Sequence, residues 1–331
     1  MSSPTLPPTS ASIARRTRVE QVMRTAQHRL CTAFEALEQT YVAHTASDLP
    51  AGRFISRSWE RPGGGGGTAR VMTKGRVFER AGVNVSAVHG AEVPPSIWQS
   101  RPHTKGQPFF ATGISMVLHP TNPYTPAFHA NYRYFEVGPE GSIDWWFGGG
   151  MDLTPAYGFD ADAIFFHRTL HGYCTRHARI GIDYQQLKQT CDEYFYIKHR
   201  HEMRGIGGIF FDLLHPDGDD GWEHALAFAH DGTETITAAY VPIVERRMHT
   251  PYGERERQWQ LYRRGRYVEF NLVYDKGTLF GLQTHGDIEA ILMSLPPLAR
   301  WEFRYQPEPD SPEADVARFL QPHDWAAATL P

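Results

Sequence analysis

The sequence predicts an α+β fold in which one large, mainly antiparallel sheet is flanked by helices on both sides. Three observations support it: a helical pattern stands near the start, segments with strand character then follow one another between residues 54 and 151, and most later segments have helical patterns. Strands that are neighbours in the chain pair most simply as antiparallel neighbours, and helices then cover the sheet. The 331 residues contain no internal repeat and no break in composition, so we expect a single domain.

The first predicted element is an amphipathic helix over residues 19–41, because apolar side chains recur there at steps of three and four residues. They are Val19, Val22, Met23, Ala26, Leu30, Ala33, Phe34 and Leu37. Residues 1–18 carry three Arg among Ser, Thr, Pro and Ala and no acid, a composition that transit peptides share. We interpret residues 1–18 as a flexible tail and residues 19–331 as the domain.

Five consecutive glycines, residues 63–67, lie between strand-like segments at 54–59 and 69–78. Glycine loses the most conformational freedom on folding, so such a run is expected to be a mobile loop or a place where the backbone approaches a ligand. A lid over a ligand and a plain linker are equally compatible with it. A phosphate-binding loop is excluded because no Gly-Lys-Ser/Thr sequence follows.

The segment from 112 to 151 predicts the centre of the sheet. Strands are expected at 113–119 and 129–137, joined by a proline-rich ordered loop at 120–128. A third strand at 145–147 leads into Gly148-Gly149-Gly150. Adjacent strands of this kind favour antiparallel pairing.

The second half of the chain alternates helical and strand-like patterns. Residues 266–273 and 277–283 are predicted to form a hairpin across Tyr274-Asp275-Lys276-Gly277. The other elements are helices at 160–177, 183–203, 220–247, 253–263 and 287–294, strands at 207–212 and 299–305, and a short C-terminal helix.

Composition narrows the function. The formal net charge is -4 and nucleic-acid binders usually carry a basic surface, so we expect no nucleic-acid partner. No apolar run approaches the roughly 20 residues that span a bilayer, so an integral membrane protein is not expected. Cys31, Cys174 and Cys191 form no CxxC pair, which favours a reducing, cytoplasmic location over a disulfide framework. Arginine supplies 28 of the 33 basic residues and aromatic residues reach 13%, which favours anionic or ring-shaped ligands.

Polar residues on the two central strands predict a ligand site. Because strand side chains alternate, Ser115, Val117 and His119 share one face of the first strand. The second strand presents His129, Asn131, Arg133 and Phe135 on one face. If the strands are antiparallel neighbours, these polar groups converge, either on a solvated face or in a pocket. The surrounding aromatic residues favour the pocket.

Asp152 follows the segment Trp145-Trp146-Phe147-Gly148-Gly149-Gly150-Met151. Glycines would let a flat ligand lie against the backbone, and Asp152 would then accept hydrogen bonds from ligand N–H groups. Asp-Leu-Thr-Pro is also a turn sequence, so a structural role as a helix cap or turn residue is the alternative.

Four long blocks resemble the oxygen-dependent coproporphyrinogen III oxidase family. They are GISMVLHPTNPYTPAFHANYRYFE, WWFGGGMDLTP, HRHEMRGIGGIFFD and RRGRYVEFNLVYDKGTLFGLQT. The resemblance extends from about residue 54 to about residue 325. It implies an antiparallel sheet flanked by helices and a homodimer.

The resemblance also implies the reaction. Two propionates of coproporphyrinogen III would become vinyl groups, giving protoporphyrinogen IX in porphyrin and heme biosynthesis, with molecular oxygen as the oxidant and no organic cofactor. It assigns catalysis to Arg133 and Asp152 and proton donation to His129. Substrate-binding positions would be Ser115, Asn131, Tyr132, Arg133 and Gly286. Because the substrate carries four carboxylates, Arg263, Arg264 and Arg266 are further candidate anion-binding residues.

Two points stay open. Some family members are described with a divalent metal on four histidines, which would be His119, His129, His167 and His199, and others work without metal. A metal-bound His129 could not donate a proton, so the two roles compete. Asp287 also stands where the family usually has a substrate-binding Arg. Two alternative functions remain. One is a tetrapyrrole-binding protein without catalysis, and the other is a metal-dependent oxygenase.

Overall fold

A computed structural model describes residues 10–139, 142–283 and 287–330. It confirms the α+β class: a seven-stranded antiparallel sheet with the order β1-β2-β3-β4-β5-β6-β9 carries helices on both faces, and β7 and β8 form a small second hairpin. The strands are β1 (Ile55–Glu60), β2 (Gly65–Thr73), β3 (Phe78–Gly90), β4 (Phe109–Pro120), β5 (Ala127–Val137), β6 (Asp144–Thr154), β7 (Tyr196–Ile197), β8 (Glu202–Met203) and β9 (Gly208–Leu214). The α-helices are α1 (Ser10–Thr45), α2 (Pro95–Trp98), α3 (Asp160–Arg176), α4 (Tyr184–Tyr194), α5 (Gly221–Arg247), α6 (Glu254–Val273), α7 (Lys276–Gln283), α8 (Ile288–Leu292) and α9 (Pro312–Asp315). Short 3₁₀ helices lie at Pro102–Thr104, Ala178–Ile180, Lys198–Arg200 and Val316–Leu320.

The main core lies between the sheet and the layer formed by α1, α3 and α5. Aromatic side chains fill much of it: Phe128 of β5 stacks on Tyr240 of α5 with ring centres 4.7 Å apart, and Phe34 of α1 meets Tyr240 edge to face. Buried aromatic side chains contribute large apolar areas, so these contacts fix the helical layer on this face. None of the described helices combines the length and the apolar character needed to cross a bilayer.

Helix α1 begins nine residues before the predicted start, so residues 10–18 are helical and do not belong to a tail. Polar contacts explain the extension. Ser12 Oγ and Arg16 Nε donate to Glu136 at 3.0 and 2.7 Å, and Glu136 is buried at the end of β5. The spacing of apolar residues does not predict this first part of α1, because the ion pair between Arg16 and Glu136 holds it in place. Residues 1–9 lie outside the described residues.

The five-glycine run is not a mobile loop. Gly63 and Gly64 lie in the turn between β1 and β2, and Gly64 and Gly65, the first residue of β2, have positive φ angles of 105° and 82°. The remainder belongs to strand β2. Gly67 pairs with Trp59, and a Cβ at Gly67 would lie 2.6 Å from the indole ring. Close packing of two strands, and not flexibility, therefore requires these glycines.

The predicted hairpin at residues 266–283 is wrong: helices α6 and α7 occupy this segment. Arg263, Tyr267 and Phe270 recur at helical spacing and are buried, so the tertiary contacts override a run rich in strand-forming residues. Asp275 separates the two helices and accepts a hydrogen bond from Thr278 N at 2.8 Å.

Three other boundaries differ. The helix predicted at 183–203 ends at Tyr194, and β7 and β8 follow it. Residues 299–305 form no strand. Strand β6 continues through Gly148-Gly149-Gly150, so Asp152 is a strand residue and not a turn or cap.

His167 is a buried contact between α3 and the chain that leads into β9. Its Nδ1 pairs with Tyr184 Oη at 2.8 Å, and its Nε2 donates to the carbonyl of Ile206 at 3.0 Å. Burial lowers the pKa of His167 to about 3, with a smaller contribution from the charge of Lys188. The imidazole is therefore neutral in the folded protein across the ordinary pH range.

Acid should destabilise the fold through this residue. In the unfolded chain the imidazole binds a proton near pH 6.5, whereas the folded protein resists protonation until about pH 3. The free energy of unfolding should therefore fall by about 1.4 kcal/mol per pH unit as pH drops from 6.5. Urea unfolding at pH 7 and pH 5 measures this. His167→Gln should flatten the dependence, whereas His171→Gln, at an exposed site one turn along α3, should leave it unchanged. Equal slopes in the wild type and His167→Gln would contradict the assignment.

Candidate active site

A cavity of about 290 Å³ lies on the face of the sheet opposite α1 and α5. Strands β3 to β6 provide its floor, and the segment from α6 to α8 provides one wall. Its polar lining includes Asn84, Ser86, Ser115, His129, Asn131, Arg133 and Arg204. A concave, largely apolar site with a few polar groups is the usual form of a small-molecule site.

The strand register brings the predicted residues together. Ser115 of β4 pairs directly with Asn131 of β5, and the next pairs on this face are Gly113 with Arg133 and Val117 with His129. Because alternate residues share a face, Ser115, His129, Asn131 and Arg133 all line the cavity.

Glycine makes room for the arginine. Gly148 of β6 stands directly opposite Arg133, and a Cβ there would lie 3.0 Å from the guanidinium carbon. The guanidinium therefore lies over the Gly148 backbone. At least one of the three glycines, which were expected to accommodate the ligand, instead accommodates Arg133.

Asp152 lies at the base of the cavity in a buried ion pair. Its carboxylate accepts two hydrogen bonds from Arg204 Nη2, at 2.8 and 2.7 Å, and one from His129 Nδ1 at 2.8 Å. The side chains of Asp152 and Arg204 are each 2% exposed. Asp152 itself does not line the cavity, whereas its two partners, His129 and Arg204, do.

Electrostatics keep both partners charged. Burial raises the pKa of Asp152, but the positive charge of Arg204 and the hydrogen bond from His129 outweigh it, and the net pKa is lowered. Burial lowers the pKa of Arg204, but the charge of Asp152 raises it further. An ionised Asp152 accepts from His129 Nδ1–H, which leaves Nε2 as the ring nitrogen on the ligand side.

Aromatic rings surround Arg204. Its guanidinium carbon lies 4.1 Å from the ring centre of Phe195 and 4.5 Å from that of Tyr267, and Nη1 donates to Asn271 Oδ1 at 3.0 Å. Sequence reasoning assigned no role to Arg204. The available signal was its place in the block HRHEMRGIGGIFFD, where it immediately precedes the glycines that lead into β9.

Arg133 is held by two acceptors and remains 25% exposed. Nη1 donates to Asn131 Oδ1 at 2.8 Å, and Nη2 donates to Asp212 Oδ1 at 3.1 Å. A guanidinium has five N–H donors, so this arrangement orients Arg133 and leaves donors for an anion.

The other candidate arginines are paired inside the protein and do not line the cavity. Arg263 binds Glu202 at 2.9 Å and Arg264 binds Glu79 at 2.7 Å. Arg266 binds Tyr262 and, at 3.3 Å, Glu269. Arg263 and Arg264 therefore link α6 to β8 and β3, whereas these two partners of Arg266 lie within α6 itself.

Tyr132 lies on the opposite face of the sheet from the cavity. It is fully buried in the main core, and a Cβ at Gly232 of α5 would lie 2.4 Å from its ring. The alternation of side chains along β5 makes this placement unavoidable once Asn131 and Arg133 face the cavity. The expected binding contact from the Tyr132 side chain is therefore not made.

The structure does not bring the four histidines together. Both ring nitrogens of His167 are hydrogen-bonded, and both of His199 bind protein groups, Tyr274 Oη at 2.8 Å and Glu269 at 2.7 Å. His119 is buried, and its Nε2 donates to the Ser294 carbonyl at 2.9 Å. Across the described ranges, no three His, Cys, Asp or Glu side chains are placed to hold a metal ion. These residues therefore do not fit the implied metal.

Asp287 has a local structural role. Its Oδ1 accepts from Ala290 N at 2.9 Å and caps helix α8. It also lines the cavity and lies 4.0 Å from Arg57 Nη2. Gly286, the remaining predicted binding position, lies outside the described residues.

The sequence of the chain was compared with models of known protein families. The model described as coproporphyrinogen III oxidase matches residues 18–325 of the 331. The match contains every strand of the main sheet and every residue of the cavity. The chain therefore belongs to the coproporphyrinogen III oxidase family.

Proposed function

We propose that this protein is an oxygen-dependent coproporphyrinogen III oxidase, which converts two propionates of coproporphyrinogen III into vinyl groups. The observation that carries the proposal is the buried Asp152–Arg204 pair, whose carboxylate holds His129 on the same cavity floor as Arg133. Each step is R–CH₂–CH₂–COO⁻ + O₂ + H⁺ → R–CH=CH₂ + CO₂ + H₂O₂. Two electrons leave the side chain as carbon dioxide departs, and dioxygen accepts them.

Arg133 is the proposed anchor for a substrate carboxylate. Arginine binds carboxylates with two parallel hydrogen bonds, and Arg133 is already oriented by Asn131 and Asp212. The protein has a formal net charge of -4 and the substrate carries four carboxylates, so attraction must be local to the cavity.

His129 is the proposed proton-exchanging group. Its Nδ1 is engaged by Asp152, so Nε2 takes the proton of a pyrrole N–H, and dioxygen adds to the resulting ring anion. The peroxide leaves with a hydrogen of the ring-attached CH₂ as hydroperoxide, which takes up the H⁺ of the equation to become H₂O₂. Loss of CO₂ forms the vinyl group and returns an electron pair to the pyrrole nitrogen, which recovers its proton from His129. Loss of the pyrrole proton raises the electron density of the ring that dioxygen attacks. Asp152 stabilises the imidazolium form of His129 by its negative charge, as a buried carboxylate does in other acid–base pairs. No step is assigned to a metal, because the histidines do not form a ligand set.

Oxygen-dependent turnover tests the proposal. The purified protein, supplied with coproporphyrinogen III in air, should form the divinyl product, and one carbon dioxide should be released for each vinyl group. Under strict anaerobiosis the same protein should form none. Binding without turnover in air would instead favour the tetrapyrrole-binding alternative.

Asp152→Asn should lower kcat about 100-fold or more, because the uncharged amide no longer stabilises protonated His129. It should also lower the free energy of unfolding by about 3 kcal/mol or more, because Arg204 loses its buried counterion. Steady-state kinetics and urea unfolding measure the two effects.

Asp231→Asn is the matched control. Asp231 also pairs with an arginine and a histidine, Arg176 and His177, but it does not line the cavity. It should leave kcat within about twofold of the wild-type value. A folded Asp152→Asn protein with wild-type kcat would overturn the assignment of Asp152.

A homodimer is the proposed assembly, and an apolar surface supports it. Nine of the fifteen large apolar side chains that are exposed in the described residues fall between residues 272 and 305. They are Leu272, Val273, Leu279, Leu282, Ile288, Leu298, Trp301, Phe303 and Tyr305. Contiguous exposed apolar surface marks interaction sites, and the concentration of these residues in one stretch of chain supports such a surface there. A cytoplasmic location is proposed as well. It is supported by Cys31, Cys174 and Cys191, which are buried and form no disulfide.

Phe303→Asp should shift the protein from dimer to monomer, because Phe303 is 91% exposed and a charge in an apolar interface is costly. Light scattering after size-exclusion chromatography measures the mass. Leu330→Asp, at another exposed apolar residue outside this segment, should leave the mass at the dimer value. A wild-type mass of one chain would contradict the dimer.

A further inference from the structure

Arg101 lies in the wall of the cavity, although sequence reasoning gave it no role. It stands between α2 and the 3₁₀ helix at Pro102–Thr104. Its guanidinium carbon lies 4.2 Å from the ring centre of Trp146, which also lines the cavity, and Nη2 binds Asp144 Oδ2 at 3.0 Å. The stack and the ion pair fix the guanidinium against this wall.

One end of the guanidinium has no protein acceptor. Nη1 of Arg101 is buried and makes no hydrogen bond to any residue that the structure describes. A buried N–H donor without a partner is costly, and in folded proteins such groups are normally satisfied by water or by a ligand. Arg101 therefore lines the cavity with hydrogen-bonding capacity that Asp144 does not use up.

The register of β5 and β6 shows how Arg101 and Arg133 are placed relative to each other. Trp146, under Arg101, pairs with Phe135, and Gly148, under Arg133, pairs with Arg133 itself. Two residues along a strand span about 7 Å, so the two β6 positions against which the guanidiniums lie are neighbours on one face of the strand. Arg101 and Arg133 therefore offer two separate anion-binding groups in one cavity.

The wall formed by α8 has the opposite charge. Asp287 lines the cavity there, and Asn84 of β3 holds this wall by donating to the carbonyl of Ala290 at 2.6 Å. An anionic group is repelled from a carboxylate in a site of low dielectric and attracted to guanidiniums. Asp275, Lys276 and Asp212, which pairs with Arg133, also line the cavity. The positions of the two guanidiniums, more than the net charge of any wall, therefore favour a polycarboxylate with acidic groups toward Arg101 and Arg133.

We propose that Arg101 binds a carboxylate of the substrate and, with Arg133, forms a two-point anchor that fixes the macrocycle's orientation in the cavity. This inference rests on the proposed function, because the ligand class is the tetracarboxylate of that reaction. The carboxylate held by Arg101 is one that does not react, so its contact is equally strong in the ground state and the transition state.

Steady-state kinetics with coproporphyrinogen III test the anchor. Arg101→Gln should raise KM about tenfold or more with kcat within about twofold, the pattern of lost uniform binding. Arg101→Lys should recover only part of the loss, because an ammonium group lacks the planar fork. Lys105→Gln removes a positive charge from an exposed position four residues away and should leave KM unchanged. An unchanged KM in Arg101→Gln would overturn the proposal.

Asp144→Asn separates binding from a purely structural role. It removes the ion pair of Arg101 and keeps the guanidinium, so its KM should rise less than that of Arg101→Gln. Equal increases would mean that Arg101 only ties its loop to β6, which would overturn the proposal. Fluorescence titration with coproporphyrin III, the stable oxidised tetracarboxylate, distinguishes this failure from that of the proposed function. Wild-type protein that binds this porphyrin more tightly than Arg101→Gln, but does not turn over coproporphyrinogen III, would retain the anchor and reject the activity.

Discussion

The ion pair between Asp152 and Arg204 is the interaction on which the rest of the cavity depends. It joins β6 to the segment between β8 and β9, and Arg204 reaches α6 through Asn271. Removing both charges from water is expensive, and a single salt bridge does not always repay that cost. Here two hydrogen bonds between the partners, a third from His129 and the faces of Phe195 and Tyr267 offset the desolvation. The arrangement is therefore a fixed electrostatic base under the ligand.

The Asp152–Arg204 pair also determines which nitrogen of His129 carries the proton. A carboxylate that stays ionised through burial beside Arg204 selects the His129 tautomer with hydrogen on Nδ1. The ring is then oriented by the protein before any ligand arrives, which lowers the reorganisation needed in the reaction. Asp152 acts through His129 because Arg204 and His129 occupy its oxygens. Its position one layer below the cavity is therefore consistent with a positioning role.

Much of the sheet and the cavity floor could be predicted from the sequence because both follow from a period of two. The alternation along β4 and β5 placed Ser115, His129, Asn131 and Arg133 on one face without any tertiary information. Arg204 could not be found in this way, because it lies outside the regular part of a strand and meets Asp152 only through folding across 52 residues. The strand predicted at residues 266–273 was wrong for a related reason. Tyr267 and Phe270 favour a strand by residue type, but they are buried on one face of helix α6, and only the packing of that face reveals the helix.

Asp287 shows how a charge of one sign is accommodated in a cavity that has to receive anions. Its carboxylate caps α8, and helix N-termini favour negative charge, so the residue meets a local structural need. That need fixes an acid in the α8 wall and leaves attraction of carboxylates to the opposite side, where Arg133 is oriented by Asn131 and Arg101 by Trp146. Arg133 stands on strand β5 and Arg101 on the loop that stacks against Trp146 of β6, so neither cation belongs to the wall that carries the cap. Helix capping needs a negative charge and carboxylate binding needs positive ones. Different residues supply them: Asp287 caps α8, and Arg133 and Arg101 face the ligand.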